Sequence, residues 1–203
     1  MPALHISSPR IFRTYMVREH RSHDCMIWQA ARATSAAPTF FKRIRIGEQG
    51  SEEEFLDGGL GCNNPIKQVL EESEAAFGPD ACIACIVSIG TGQGDVIGLR
   101  SPDAFQRALP LNLIAVLKEI ATTCESAAED TEKRFKRVNN VYFRFNVEQG
   151  MQGITLAEWK KLGEVTQHTM QYIQKSAVNQ KINAAVEAIR GRQALIRTAE
   201  LSA

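Results

Sequence analysis

No apolar run in these 203 residues approaches the ~20 that a membrane-crossing helix needs, and the opening Met-Pro-Ala-Leu-His lacks the charged-then-apolar pattern of a secretory leader. The expected setting is therefore cytoplasmic, with peripheral contact at a membrane surface left open. A charge bias of either sign is also missing. With 24 Lys+Arg against 23 Asp+Glu the net charge is +1, so no global field recruits nucleic acid, and any anionic partner has to be held locally. The cysteines do not make an even disulfide set: five, at positions 25, 62, 82, 85 and 124, read as free thiols of a reducing compartment. Internal repeats, low-complexity tracts and linkers are absent, and the length excludes a second full domain. What is present, 44% hydrophobic and 23% charged residues, excludes disorder, collagen and coiled coil. A chain of this size buries roughly 70% of its unfolded surface and needs no metal or disulfide staple.

The pattern predicts a strand over 11–18, bounded by Pro9, and a helix from Cys25 towards Ala36, capped by Asp24 and stopped by Pro38. Alternation predicts strands over 42–46 and 54–56 on either side of a turn at 48–51. Asn63-Asn64-Pro65 starts a helix that Gly78-Pro79 ends, and the near-continuous apolar run 82–89 has the look of a strand buried on both faces. Strand, helix and strand in that order imply a right-handed crossover and an α/β layer fold. A helix over 109–128, an edge strand over 141–147, and helices from Leu156 onward with breaks near Asn179 and Gly191 complete the reading.

The most pointed chemistry lies in Asp57-Gly58-Gly59. A carboxylate at the carboxyl end of a strand stands where open α/β folds bind ligands, and the glycines allow close backbone approach and positive φ. Asp-Gly is equally a plain turn signal, so the motif needs company. Company comes from the small-residue segment Ala30-Ala31-Arg32-Ala33-Thr34-Ser35-Ala36-Ala37-Pro38 and from Ser88-Ile89-Gly90-Thr91-Gly92. In order and spacing these three motifs resemble the patatin-like phospholipases. The match is best over 11–95, with a helical part over 100–203.

That resemblance implies a three-layer helix-sheet-helix fold with a largely parallel sheet. It also implies a lipid acyl hydrolase of the Ser-Asp type, with a lipid or phospholipid substrate and no metal or organic cofactor. The family's aspartate maps onto Asp57, whose implied role is general base towards a nucleophilic serine; Gly58 and Gly59 complete its motif and leave room for the serine turn. Here the chain departs from the pattern. None of its eleven serines sits in a Gly-x-Ser-x-Gly elbow, and no Gly-rich oxyanion loop precedes the aspartate. The expectation is a domain truncated at its N-terminal side and inactive alone, the alternative being a non-catalytic lipid-binding or regulatory remnant.

Other features weigh less. His20 and His23, next to Asp24 and Cys25, lack a second cluster to complete a metal site, and Cys82 and Cys85 would point to opposite faces of a strand. Gly90-Thr91-Gly92-Gln93-Gly94 lacks the Lys-Ser/Thr of a phosphate loop and reads as a tight turn. Lys133-Arg134-Phe135-Lys136-Arg137 is a basic helix face that could touch lipid headgroups. Protein partners are not legible.

Overall fold

The computed structural model describes residues 9–17, 24–37, 40–92, 124–151, 154 and 159–201. Helices and short strands alternate through them as an α/β arrangement built around two apolar clusters. The first is local in sequence. Helix α1 (Ile27–Thr34) lays its small Ala33 side chain onto a hairpin of β1 (Ile44–Ile46) and β2 (Glu53–Phe55). The hairpin is antiparallel, Ile44 opposite Phe55, and its turn closes by the Ser51 N–H donating to the Glu48 carbonyl at 2.9 Å. Ile46 and Phe55 point inward while Arg45 and Glu54 face solvent, the period of two that a half-buried strand requires. Phe12 extends this cluster, its ring 5.3 Å from that of Phe55.

The second cluster is long-range. After a single turn, α2 (Gly59–Cys62), helix α3 (Ile66–Phe77) presents Ile66 and Leu70 inward. They meet Ile86, Ala127, Phe135, Val141 and Leu201. Gly78 ends α3 at φ +83°, a conformation that favours glycine, and its N–H donates to the Glu74 carbonyl at 2.8 Å. Strand β3 (Cys82–Ile83) precedes β4 (Ile86–Ile89); then come helix α4 over 124–135, strand β5 (Tyr142–Phe145), helices α5 (Leu162–Gln174) and α6 (Ser176–Gly191), and strand β6 (Ile196–Arg197). Strands β4 and β5 pair in parallel, whereas β3 pairs antiparallel with β6. The last 3-10 turn, Thr198–Leu201, is stitched to the end of α3: the buried Thr198 hydroxyl donates to the Gly78 carbonyl and its N–H donates to Ala81 O at 2.9 Å.

Several expectations are corrected here. Residues 11–16 form no strand, and only an isolated bridge occurs at Val17; Phe12 and Arg13 are used by side-chain contacts, not by a ladder. Helix α1 is capped at Met26, whose N–H donates to the Gln29 side chain at 2.8 Å, in place of Asp24. The run 82–89 is two strands with different partners, and Ile86 and Ser88 are buried while Val87 and Ile89 are exposed, so only one face is covered. The parallel neighbour of β4 is β5, one step later in the chain than the expected crossover from β2. Among the described residues the strands form three separate pairs, two of them antiparallel. The helical break falls at Lys175, whose extended ψ of 131° interrupts the ladder, and not at Asn179. Most of the expected helix 109–128, together with Pro38, Leu156, His20 and His23, lies outside the described residues.

Candidate functional site

Asp57 follows β2, which carries Phe55 of the first cluster, and precedes α3, which carries Ile66 and Leu70 of the second. Strand β2 delivers it one residue beyond Leu56, and its N–H donates to the Ala36 carbonyl at 3.3 Å, tying it to the end of α1. One carboxylate oxygen, Oδ1, accepts the Gly59 N–H at 2.7 Å and so closes the first turn of α2. The other, Oδ2, has no hydrogen bond, and no ion pair reaches Asp57 among the described residues. The carboxylate is thus oriented by backbone yet keeps an acceptor available.

The neighbouring glycines act through space. Gly58 is helical at φ −62°, and neither glycine has positive φ, so that part of the expectation is corrected. A Cβ on Gly59 would stand 3.0 Å from Asp57 Oδ1 and press on the carboxylate, whereas one on Gly58 would meet Thr34 Oγ1 at an ordinary 3.8 Å. Asp57, Gly58 and Gly59 line a groove of about 880 Å³ between α1 and α3, with Ala30 and Thr34 on one wall and Val69 and Phe77 on the other. Its rim is apolar and exposed, with Ile27 at 86% and Phe77 at 74%.

A second polar array braces the same groove. Arg13 donates through Nε and Nη2 to the two oxygens of Glu72 on α3, the latter contact at 2.5 Å, and the Tyr15 hydroxyl donates to Glu72 Oε1 at 3.1 Å. The bond to Glu72 raises the Arg13 pKa further above its ordinary value. This forked pair fastens residues 9–17 against α3, and Tyr15 and Glu72 both line the groove. Sequence reasoning missed it. The spacing of Arg13 and Tyr15, two apart in extended chain, places them on one side, but nothing in the sequence reveals Glu72 as the acceptor.

The Gly90-Thr91-Gly92 turn lies elsewhere, at the end of β4. The Gly90 N–H donates to Phe145 O at 2.7 Å and the Gly92 N–H to Asn146 Oδ1 at 2.8 Å. A Cβ on Gly90 would stand 2.3 Å from Asn146 Oδ1 and 2.6 Å from Arg144 Nη2, so the turn exists to let these side chains close in. Arg144 donates to Ser88 Oγ at 3.0 Å and lies 3.9 Å from Cys124 Sγ; burial pushes that thiol up, and Arg144 only partly opposes it. His168 packs on Gly150, where a Cβ would approach Nδ1 to 2.2 Å. In the basic stretch 133–137, Phe135 belongs to the core, Lys133 pairs with Glu129 at 3.6 Å, and Arg134 donates to Glu200 O at 3.2 Å. Among the described residues no three His, Cys, Asp or Glu side chains gather as metal ligands, and no helix is long and apolar enough to cross a membrane.

A family model for patatin-like phospholipases matches residues 3–70, the stretch that contains α1, the hairpin and Asp57. The calcium-independent phospholipase A2-gamma of Mus musculus is 32% identical over 179 residues, covering 82% of this chain and 21% of that protein. The chain belongs to the patatin-like phospholipase family. The Homo sapiens calcium-independent phospholipase A2-gamma is 29% identical over 184 residues, 84% of this patatin-like chain and 22% of its own length. Phospholipase A I of Arabidopsis thaliana is 31% identical over 142 residues, 67% of the chain and 10% of that protein. The chain therefore spans about a fifth or less of the curated relatives it matches. No solved structure matches it. Of the three motifs that carry the patatin-like resemblance, the small-residue helix and Asp57-Gly58-Gly59 come together at one groove, and the Gly-Thr-Gly turn does not line it.

Proposed function

We propose that this chain supplies the aspartate side of a Ser-Asp lipid acyl hydrolase acting on glycerophospholipids or neutral lipids. One observation carries the reading: Asp57 stands in an apolar groove, held by the Gly59 N–H through Oδ1 with Oδ2 left to accept a proton. A serine hydroxyl held opposite Oδ2 attacks the acyl carbonyl and Asp57 takes its proton; the ester C–O bond breaks, the departing lipid alcohol receives that proton, and water then hydrolyses the acyl-serine ester to free fatty acid. In this reading the serine and the oxyanion donors are supplied by residues other than these 203, and the complete domain is a three-layer fold with a largely parallel sheet. The reaction so written uses no metal or organic cofactor. The working place is the cytoplasm, at the periphery of a lipid surface.

Residues of one catalytic unit act non-additively, so a base without its nucleophile has little to contribute. The purified chain alone is expected to leave short-chain nitrophenyl esters unhydrolysed. In a polypeptide joining this sequence to a Gly-x-Ser-x-Gly segment, turnover is expected, and Asp57→Asn should lower kcat by about 10⁴-fold. Turnover by the chain alone that Asp57→Asn abolishes, or turnover in the joined polypeptide that ignores that change, overturns the reading. The absence of any elbow among the eleven serines favours a second reading, a non-catalytic lipid-binding or regulatory remnant. A reading frame directly upstream that encodes no such elbow would favour it further.

A further inference from the structure

Helix α1 separates two hollows. Its Ala30 and Thr34 side faces the Asp57 groove, while Trp28, Arg32 and Ser35 line a second hollow of about 640 Å³ with Arg43 and Ile44, and Ala31 between them lines both. Around this second hollow, apolar and cationic groups are mixed. Trp28 is 60% exposed, Phe41 59% and Met26 65%, beside the exposed Lys42. Arg32 lies 5.5 Å above the Phe41 ring and donates through Nη2 to the Lys42 carbonyl, but its Nη1 is buried with no hydrogen-bond partner. No carboxylate pairs with Arg32 among the described residues, and Glu54 on β2 is shared between Arg43 at 3.0 Å and Arg45 at 3.8 Å. The hollow therefore offers an unmet N–H donor, an excess of positive charge and aromatic side chains at its rim.

We propose that this α1–β1 face docks on an anionic lipid surface, Trp28 and Phe41 entering the interfacial region while the Arg32 hollow receives a lipid headgroup phosphate. The Trp28 indole, apolar with one N–H edge, suits the headgroup level, Phe41 adds an apolar ring, and guanidinium matches phosphate through paired N–H donors. The geometry also gives the docking a use. Because Ile27 is adjacent in sequence to Trp28 and stands on the rim of the Asp57 groove, seating α1 on lipid brings the mouth of that groove to the surface. The choice of lipid rests on the hydrolase reading; binding is measured without turnover, so the two fail separately.

The test is co-sedimentation of the full chain with phosphatidylcholine vesicles containing none or one third phosphatidylglycerol. Binding is expected only with the anionic lipid and should weaken as salt rises. The double change Trp28→Ala with Phe41→Ala should reduce partitioning about tenfold. Arg32→Gln should reduce it about fivefold and Arg32→Lys should restore only part of it, the charge without the paired donors, which separates charge from folding. Circular dichroism of each variant should be unchanged. The proposal is overturned if the anionic vesicles do not bind, or if inorganic phosphate at millimolar concentration competes fully, since that describes a free-anion site. It is equally overturned if the loss follows neutralisation of Lys133, Arg134, Lys136 and Arg137 while the α1 variants bind normally. A chain that light scattering shows to be a dimer, and that the Trp28 and Phe41 changes make monomeric, would assign the face to a second copy instead.

Discussion

The two apolar clusters are built on different plans. Ala33, Ile46 and Phe55 lie close in sequence and need only one helix and one hairpin to meet. The other cluster joins Ile66 and Leu70 to Leu201, so it forms only when the far end of the described chain returns to α3. Local contacts cost little loop-closure entropy and distant ones cost more, hence the first cluster is small but quickly assembled and the second larger but dependent on remote partners. Asp57 stands between them, oriented by the end of α1 on one side and followed by α3 on the other. Its groove is lined by α1 on one side and α3 on the other, the helices that carry Ala33 into the first cluster and Ile66 and Leu70 into the second.

The sharpest way to break the contrast is Leu201→Ala. Leu201 is 1% exposed in the second cluster, and its truncation should cost about 3 kcal/mol and lower the denaturant midpoint of the whole molecule. Loss confined to the C-terminal helices would show the second cluster to be less unifying than its contacts imply. Gly90→Ala should come next, at about 2 kcal/mol, because its Cβ would collide with Asn146 and Arg144 under the second cluster; thermal unfolding measures it. Phe55→Leu, in the local cluster, should cost about 1 kcal/mol and leave the helices after α3 intact by circular dichroism.

The smallest effect is expected from pH. Burial raises the thiol pKa of Cys62, Cys85 and Cys124 and the phenol of Tyr142. Groups with raised folded pKa are fully accommodated below their unfolded values, so stability should hold up to about pH 8.5 and decline as pH rises through the folded values. Cys124→Ser should flatten that decline in urea titrations at alkaline pH. Cys62→Ser, in the groove between α1 and α3, tests whether the decline belongs to one side.

Much of the local structure was legible. Gly78-Pro79 had to end a helix because the backbone turns to φ +83° there, and alternation at 44–46 marks a strand with one wet face; 142–145 is also a strand, but none of its residues is fully exposed. The motif reading also placed Asp57 at the end of a strand, and the structure ties it there to the end of the small-residue helix. The strand expected at 11–18 failed for a physical reason: β-branched and aromatic residues suit a ladder, but Arg13 and Tyr15 found Glu72, and Phe12 found Phe55. The run 82–89 misled because apolar continuity does not say which strand pairs with which.

By itself the sequence determined the family and the element types with strong periodicity, and it singled out Asp57 as the candidate carboxylate. These follow from short-range chemistry: caps, turns and side-chain spacing act within a few residues. Only the tertiary structure decided that Asp57 keeps one oxygen free in a groove, that Glu72 clamps Arg13 and Tyr15 to its wall, and that Arg32 is left with an unpaired donor on the adjoining face of α1. Pairings between residues dozens of positions apart depend on which surfaces pack together, and no local rule encodes that choice.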